Sequence, residues 1–175
     1  MFDNYTKLII LQTIMSSSLS HSEEEGKDTL SSPEQNVTVM SFGYLFGVPK
    51  VFDKLFDLRN FPCPSLHLCQ STDGTSKKLQ DDILHRPVYV KEIARIVESI
   101  HTYAENHPQS IIVIGCEEGR HRSVAVVERV YKELTSLGLS TSVKHRDLLR
   151  KKERLRKEKE IKDSRKMKYQ LYEED

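Results

Sequence analysis

The sequence predicts an α/β fold, in which a small, mostly parallel sheet is flanked by helices and followed by a long, charged C-terminal helix. Short apolar runs, which are typical of buried strands, alternate with segments whose apolar residues recur every three or four positions. This alternation favours a layered fold, because each helix carries the chain back to the edge at which the next parallel strand begins.

Four segments are predicted to be strands, and turn residues lie at their ends. They are residues 37–40 (VTVM), 55–58 (LFDL), 111–114 (IIVI) and 139–144 (LSTSVK). Gly115 directly follows the third run and Gly138 precedes the last, as expected at strand boundaries. The third run is the most apolar, so it is expected to be buried.

Two helices are predicted from apolar periodicity. One covers residues 87–107 and is ended by Pro108, and the other follows the third strand and is capped by Gly138. Residues 61–78 hold prolines, a glycine and several Ser and Thr residues, so they are predicted to form a long functional loop. The periodic apolar positions are Val90, Ile93, Val97, Ile100 and Ala104 in the first helix, and Val124, Val127, Val130, Leu134 and Leu137 in the second.

Composition divides the chain into three parts. Residues 1–35 are expected to be a disordered lead-in, residues 36–148 the folded domain, and residues 149–175 a charged, basic helical tail. Residues 8–15 form an apolar run, but Gln12 and Thr13 interrupt it. The run is too short for a membrane span and lacks the flanks of a good signal peptide. No membrane segment is therefore expected, and the expected location is cytoplasmic.

The formal net charge of +1 conceals a strong asymmetry. Residues 144–168 contain 13 Lys or Arg and 5 Asp or Glu residues, so the rest of the chain is acidic. A basic tail on an acidic body indicates an anionic partner such as RNA. The same basic run would also suit nuclear import, and the sequence does not distinguish these two roles.

The cysteine content argues against both a disulfide framework and a metal site. Cys63, Cys69 and Cys116 are few and odd in number, which favours a reducing compartment. Cys63 and Cys69 flank His67, but their spacing does not match the usual zinc motifs. Neither a metal nor a cofactor is expected.

Residues 110–127 (SIIVIGCEEGRHRSVAVV) combine a buried strand, a tight polar loop and a helix start. Such a junction directs backbone N–H groups and the positive end of a helix dipole at one spot. Arg122 and Ser123 would lie at the helix start, where a guanidinium and a hydroxyl bind oxyanions well. The sequence therefore predicts a phosphate-binding loop.

The loop from Cys116 to Ser123 fits Cys-x-x-Gly-x-x-Arg-Ser, which resembles the phosphate loop of protein tyrosine phosphatases and other cysteine-dependent phosphatases. The resemblance implies Cys116 as the nucleophile, Arg122 as the phosphate clamp, and Asp57 or Asp73 as the general acid. A helix N-terminus beside an arginine favours a thiolate. A cysteine-dependent phosphatase is therefore one alternative.

Four motifs in order are similar to the C-terminal domain of the RNase adapter protein RapZ. They are SFGYLFGVP, FDLRNFPCP, VIGCEEGRHRSV and VKHRDL, and they extend over residues 37–150. Four ordered motifs are much more specific than one eight-residue loop. The chain therefore resembles a stand-alone RapZ C-terminal domain.

This resemblance implies a domain that binds an amino-sugar phosphate, glucosamine-6-phosphate, binds RNA on a basic surface, and assembles as oligomers. Bacterial members carry a preceding nucleotide-binding domain. The short segment before the first motif has no Gly-x-x-x-x-Gly-Lys-Ser/Thr, so ATPase or GTPase activity is not expected. The leading hypothesis is a non-catalytic, homo-oligomeric module that binds a phosphorylated metabolite, and RNA through the tail. A purely electrostatic RNA binder is a third alternative.

The resemblance also implies which residues contact the ligand. Asp57 matches the aspartate of the second motif and would bond sugar hydroxyls or an amine. Glu117 and Glu118 replace a Thr-Gly pair of the family and Ser65 replaces a histidine, which leaves the identity of the sugar open. The candidate ligand contacts are Asp57, Cys116, Glu117, Glu118, Gly119, Arg120, His121, Arg122 and Ser123. The candidate pocket or RNA contacts are His145, Arg146, Arg150, Lys151 and Lys152.

Overall fold

The computed structural model describes residues 36–150 of the 175-residue chain. Four parallel strands form one sheet in the order β2-β3-β1-β4. The strands are β1 (Asn36–Gly43), β2 (Lys54–Asp57), β3 (Gln109–Cys116) and β4 (Thr141–His145). The helices are α1 (Leu66–Ser71), α2 (Lys77–Leu84), α3 (Pro87–Asn106) and α4 (Arg122–Ser136), and a short 3-10 turn covers Tyr44–Phe46.

The predicted α/β class is confirmed, and the sheet is fully parallel. All four predicted strands and both predicted helices are present, with ends shifted by a few residues. The expected lead-in at residues 1–35 and almost all of the predicted charged tail lie outside the described residues. In the described part of the chain, no helix is long and apolar enough to cross a membrane.

The predicted long loop at residues 61–78 is wrong in part, because α1 and the start of α2 lie within it. In α2, Leu79 and Ile83 lie one turn apart and are both fully buried. That spacing is a readable helix signal, but the segment is only two turns long and follows a loop rich in Ser and Thr. In α1, the hydroxyl of Thr72 bonds the carbonyl of Leu68 at 2.8 Å, which closes the short helix locally.

The core lies between the helices and one face of the sheet. The strand register places Val39, Ile112 and Val143 side by side on this face, one each from β1, β3 and β4. Val39 and Ile112 are fully buried, and they belong to the same cluster as Ile96 and Val97 of α3. Burial of such aliphatic side chains contributes about 1.5–3 kcal/mol each, so this layer is the main source of stability.

The opposite face of the sheet carries the connection from β1 to β2. Phe42 and Gly115 are paired on this face, and a Cβ atom added to Gly115 would lie 2.7 Å from the Tyr44 ring. Tyr44 therefore covers Gly115 directly after β1 ends. The core cluster of the described residues includes no strand residue of this face, so the helices pack on the other side.

Candidate functional site

The carboxyl ends of all four strands meet at one edge of the sheet, because the strands are parallel. β1 ends at Gly43, β2 at Asp57, β3 at Cys116 and β4 at His145. Each of the four sequence motifs runs through one of these strand ends into the loop that follows it. In open α/β sheets, ligands bind at this edge. The motifs that are separate in sequence are thus brought together at one place.

The loop after β3 is held against the end of β1 by direct backbone packing. Gly119 has φ +68, and a Cβ atom added there would lie 2.4 Å from the amide nitrogen of Gly43. A Cβ atom on Gly43 would lie 2.5 Å from the carbonyl carbon of Glu118. The backbone N–H of Leu45 donates to the carbonyl of Glu117 at 3.1 Å. Glycine is required on both sides, so the loop geometry is fixed.

Helix α4 begins at this loop with an uncapped N-terminus. His121 is the N-cap residue and its side chain makes no capping hydrogen bond, and the first turn of α4 contains no acidic residue. The first N–H groups of a helix have no acceptor within the helix and carry a partial positive charge. Such an end is suited to bind an anion.

Arg122 connects the loop after β3 to the loop after β2. Its side chain is buried, and Nη1 donates to the carbonyls of Leu58, Arg59 and Phe61 at 3.0, 2.8 and 2.8 Å. The guanidinium therefore fixes the turn that follows β2. Its predicted contact with a ligand stays a prediction.

Cys116 and Ser123 lie under the loop. The Cys116 side chain is 2% exposed, and its Sγ lies 3.1 Å from the Ser123 Oγ. The Ser123 hydroxyl also donates to the carbonyl of Phe42 at 3.4 Å. Both residues thus join β3, α4 and β1 in the interior. A nucleophilic role for Cys116 stays a prediction, and its burial does not favour it.

Asp57 forms a charged group with Arg59 and Tyr44 at the end of β2. The Arg59 Nη2 lies 2.7 Å from the Asp57 carboxylate, and the Arg59 guanidinium stacks 3.8 Å above the Tyr44 ring. The hydrogen bond from Arg59 lowers the pKa of Asp57. Burial, with the Asp57 charge second, raises the pKa of Tyr44. Arg59 also interacts with the negative charge of Glu117, so the group extends to the loop after β3.

Two further polar residues of the loop after β3 are placed by the α1–α2 region. The Nε2 of His121 lies 3.0 Å from the carbonyl of Cys69, and the carbonyl of Arg120 accepts from the Gly74 N–H at 2.9 Å. The Nε of Arg120 is buried, and within residues 36–150 it has no hydrogen-bond partner. A buried donor without an acceptor is unfavourable unless something else supplies one.

The residues after β4 hold the loop after β1. The Asp147 carboxylate is 1% exposed and accepts from the Gly43 N–H at 2.8 Å. Arg146 bonds this carboxylate and donates to the carbonyl of Gly47, both at 2.6 Å. Arg150 pairs with the same carboxylate at 3.0 Å. These contacts support a structural role for Arg146.

His145 lies on the helix-facing side of the sheet, where it joins two elements. Its Nδ1 lies 2.8 Å from the Ser41 Oγ, and its Nε2 lies 2.9 Å from the Glu128 carboxylate. The roles of His145, Arg146 and Arg150 as ligand or RNA contacts stay predictions. The remaining two candidates, Lys151 and Lys152, lie outside the described residues.

Sequence reasoning missed three residues of this edge: Tyr44, Arg59 and Asp147. Arg59 and Asp147 stand inside the motifs FDLRNFPCP and VKHRDL, so the signal was available. Each pairs with a charged residue of its own motif, Asp57 and Arg146 respectively. Each also contacts the first motif, through the Tyr44 ring or the Gly43 N–H, and the sequence does not show these contacts. Tyr44 gave no signal beyond its place in the first motif.

Comparison with known proteins assigns the family. The profile of the RapZ C-terminal domain matches residues 35–149. A nucleotide-binding protein of Clostridium botulinum strain 657 is 35% identical over 118 residues, which are 64% of this chain and 40% of that protein. One of Clostridium beijerinckii is 32% identical over 129 residues, 70% of this chain and 44% of that protein. The chain thus spans less than half the length of these relatives, and it belongs to the RapZ C-terminal domain family.

Proposed function

We propose that this protein is a binding module for a phosphorylated metabolite, whose phosphate is held by the loop after β3 and the N-terminus of α4. The observation that carries this proposal is the convergence of the four family motifs on an uncapped helix N-terminus. The buried Nε of Arg120 adds an unsatisfied donor in the same loop. A phosphate oxygen would satisfy both the helix amides and this donor.

The surroundings of the loop favour a ligand that carries donors as well as a phosphate. Glu117 is exposed and Glu118 is half-buried, and both directly precede the proposed phosphate position. Asp57 lies at the end of the strand next to β3. Carboxylates accept bonds from hydroxyls and from an ammonium group. An amino-sugar phosphate such as glucosamine-6-phosphate matches this combination, and it is the ligand that the family resemblance implies.

The site is suited to binding because its loops are already fixed. Arg122 ties down the turn after β2, and Arg146 with Asp147 ties down the turn after β1. A pre-organised site loses little conformational entropy when it binds, so more of the contact energy appears as affinity.

Calorimetry with four related ligands tests the proposal. We expect glucosamine-6-phosphate to bind more tightly than glucose-6-phosphate, and both to bind more tightly than glucosamine or inorganic phosphate. In Arg120→Gln the affinity for both sugar phosphates should fall about tenfold or more, because a charge-assisted hydrogen bond contributes about 1.5–3 kcal/mol. The matched control is Arg95→Gln, since Arg95 is an exposed arginine on α3 paired with Glu92. Absence of heat with every phosphate ligand would exclude the proposal.

A cysteine-dependent phosphatase remains the second candidate, because the thiol of Cys116 lies 3.1 Å from a hydroxyl at a helix N-terminus. The burial of Cys116 favours the binding module. Incubation with a panel of phosphoesters distinguishes the two functions. Turnover that disappears in Cys116→Ser would establish the phosphatase, whereas intact ligand after prolonged incubation supports the binding module.

We also propose that the basic residues at 144–168 bind RNA. The support is their charge, 13 Lys or Arg against 5 Asp or Glu. Removal of residues 151–168 should lower both RNA affinity and the slope of affinity against salt concentration. Unchanged RNA binding by the shortened chain would contradict this assignment.

A further inference from the structure

The connection from β1 to β2 presents a group of large apolar side chains to solvent. Leu45 is 63% exposed, Val48 44%, Val51 71% and Phe52 38%. These are four of the seven exposed large apolar residues among residues 36–150. Their concentration in one short connection marks an interaction surface rather than scattered exposure. We call these four residues the crossover surface.

The backbone beneath the crossover surface is anchored at both ends. Gly47 is bonded through its carbonyl to Arg146 at 2.6 Å. At the other end, the Asp53 N–H donates to the carbonyl of Ile111 at 2.8 Å, and the Asp53 carboxylate accepts from the Ile111 N–H at 2.7 Å. The four side chains therefore lie on a segment that is held at both ends, and they are exposed to solvent in the folded protein.

The sheet face on the side of this connection also presents apolar side chains. Met40, Leu55 and Ile111 point to this face, and each is only partly buried. Among the described residues, the helices pack on the other face. An apolar sheet face that is half covered is normally buried against another element.

We infer that residues 8–15 of the same chain dock on the crossover surface and the adjoining sheet face. Six of these eight residues are large and apolar, and the run KLIILQTIM is the most apolar part of the chain before β1. Neither the proposed metabolite site nor the RNA-binding proposal uses this run. The inference is thus independent of the proposed function.

The length of the intervening segment suits this docking. Residues 16–35 separate the apolar run from Asn36, the first residue of β1. The random-coil relation gives 20 residues a root-mean-square span of about 25 Å. The seven residue steps of β1 from Asn36 to Gly43, where the connection begins, rise about 23 Å. Because the span of the intervening segment matches this distance, the effective concentration of residues 8–15 at the crossover surface is in the millimolar range. This favours the chain's own segment over a second copy.

Hydrogen exchange on the full-length chain tests this inference. We expect the amides of residues 8–15 to be protected in the wild-type protein. In Val51→Asp their exchange should become about tenfold faster or more, which corresponds to the loss of one buried aliphatic contact. Leu66→Asp is the matched control, because Leu66 is 74% exposed on α1 and lies outside the crossover surface. Protection of residues 8–15 should be unchanged in this control.

Three results would overturn the inference. The first is unprotected exchange of residues 8–15 in the wild-type protein, and the second is protection that Val51→Asp leaves unchanged. The third is protection of residues 8–15 that falls on dilution in step with the loss of an oligomer in light scattering, since a second copy would then be the occupant. Reciprocal evidence comes from Ile10→Asp, which should accelerate exchange in residues 45–52 without a change of mass in light scattering.

Discussion

Replacement of Asp147 by Ala should strongly destabilise the protein, although the residue lies in a surface turn. Its carboxylate is 1% exposed and accepts from the Gly43 N–H at 2.8 Å. It also pairs with Arg146 at 2.6 Å and Arg150 at 3.0 Å. The substitution removes the acceptor of all three donors at once.

The magnitude follows from what the substitution leaves behind. A buried N–H group without an acceptor costs about 1–3 kcal/mol, and Gly43 would be left in this state. Loss of one partner of a fully buried ion pair costs about 3–5 kcal/mol. The Arg146 side chain is 22% exposed, so water would compensate part of that second cost. We expect the free energy of unfolding to fall by about 3 kcal/mol.

Urea denaturation at neutral pH measures this change, with Arg150→Ala as the matched control. The Arg150 side chain is 48% exposed, so its removal should cost less than about 1 kcal/mol. If the two variants lose equal stability, Asp147 does not hold the loop after β1 through Gly43, and the reasoning is refuted. The comparison is valid if the free energy of unfolding falls with urea concentration at the same slope (the m-value) in both variants.

Three further predictions concern the same edge of the sheet. Gly119→Ala should lower the free energy of unfolding by about 3 kcal/mol or more, and Gly138→Ala by only about 1 kcal/mol, as measured by thermal unfolding. Both glycines have positive φ, but of the two only Gly119 has backbone atoms within 4 Å of an added Cβ. Equal losses of stability would contradict the close packing. The lowered pKa of Asp57 stabilises the fold above its unfolded pKa of about 4, and this contribution is lost as pH falls through the lowered folded value. The stability difference between wild type and Asp57→Asn should therefore be present at neutral pH and disappear in acid, and a constant difference would refute it. Arg122→Lys should accelerate amide exchange in residues 59–61, because the shorter lysine side chain places its ammonium group one bond short of the Nη1 that bonds three carbonyls. Unchanged exchange would show that these bonds are dispensable.

The parts of the fold that local pattern determines were predictable from the sequence. The apolar run is buried as expected at Ile112 to Ile114, and so are four of the five periodic residues of α3, whereas Val90 is partly buried. The helices α1 and α2 were missed because each is short, and a two-turn apolar pattern such as Leu79 and Ile83 does not stand out from a polar loop.

The contacts of the site residues could not be predicted in the same way. Arg122 was expected to face a ligand, and its Nη1 bonds the carbonyl of Leu58, which lies 64 positions earlier in the chain. Every residue has a backbone carbonyl, so the residue type does not show which carbonyl accepts a hydrogen bond. The same holds for Asp147, whose partner is the N–H of Gly43, 104 positions away. The sequence thus indicated which residues matter at the edge, but not what they bond.

The central position of β1 has a consequence for how the chain folds. β1 is the first strand of residues 36–150, and its two neighbours in the sheet are β3 and β4. Ser41 and His145, which are paired across this sheet, are 104 positions apart. Pairings this distant in sequence slow folding, because a large loop must close before any strand contact forms. During synthesis, β1 has no partner until β3 has emerged, so its apolar side chains stay exposed over that interval and are open to association with other chains.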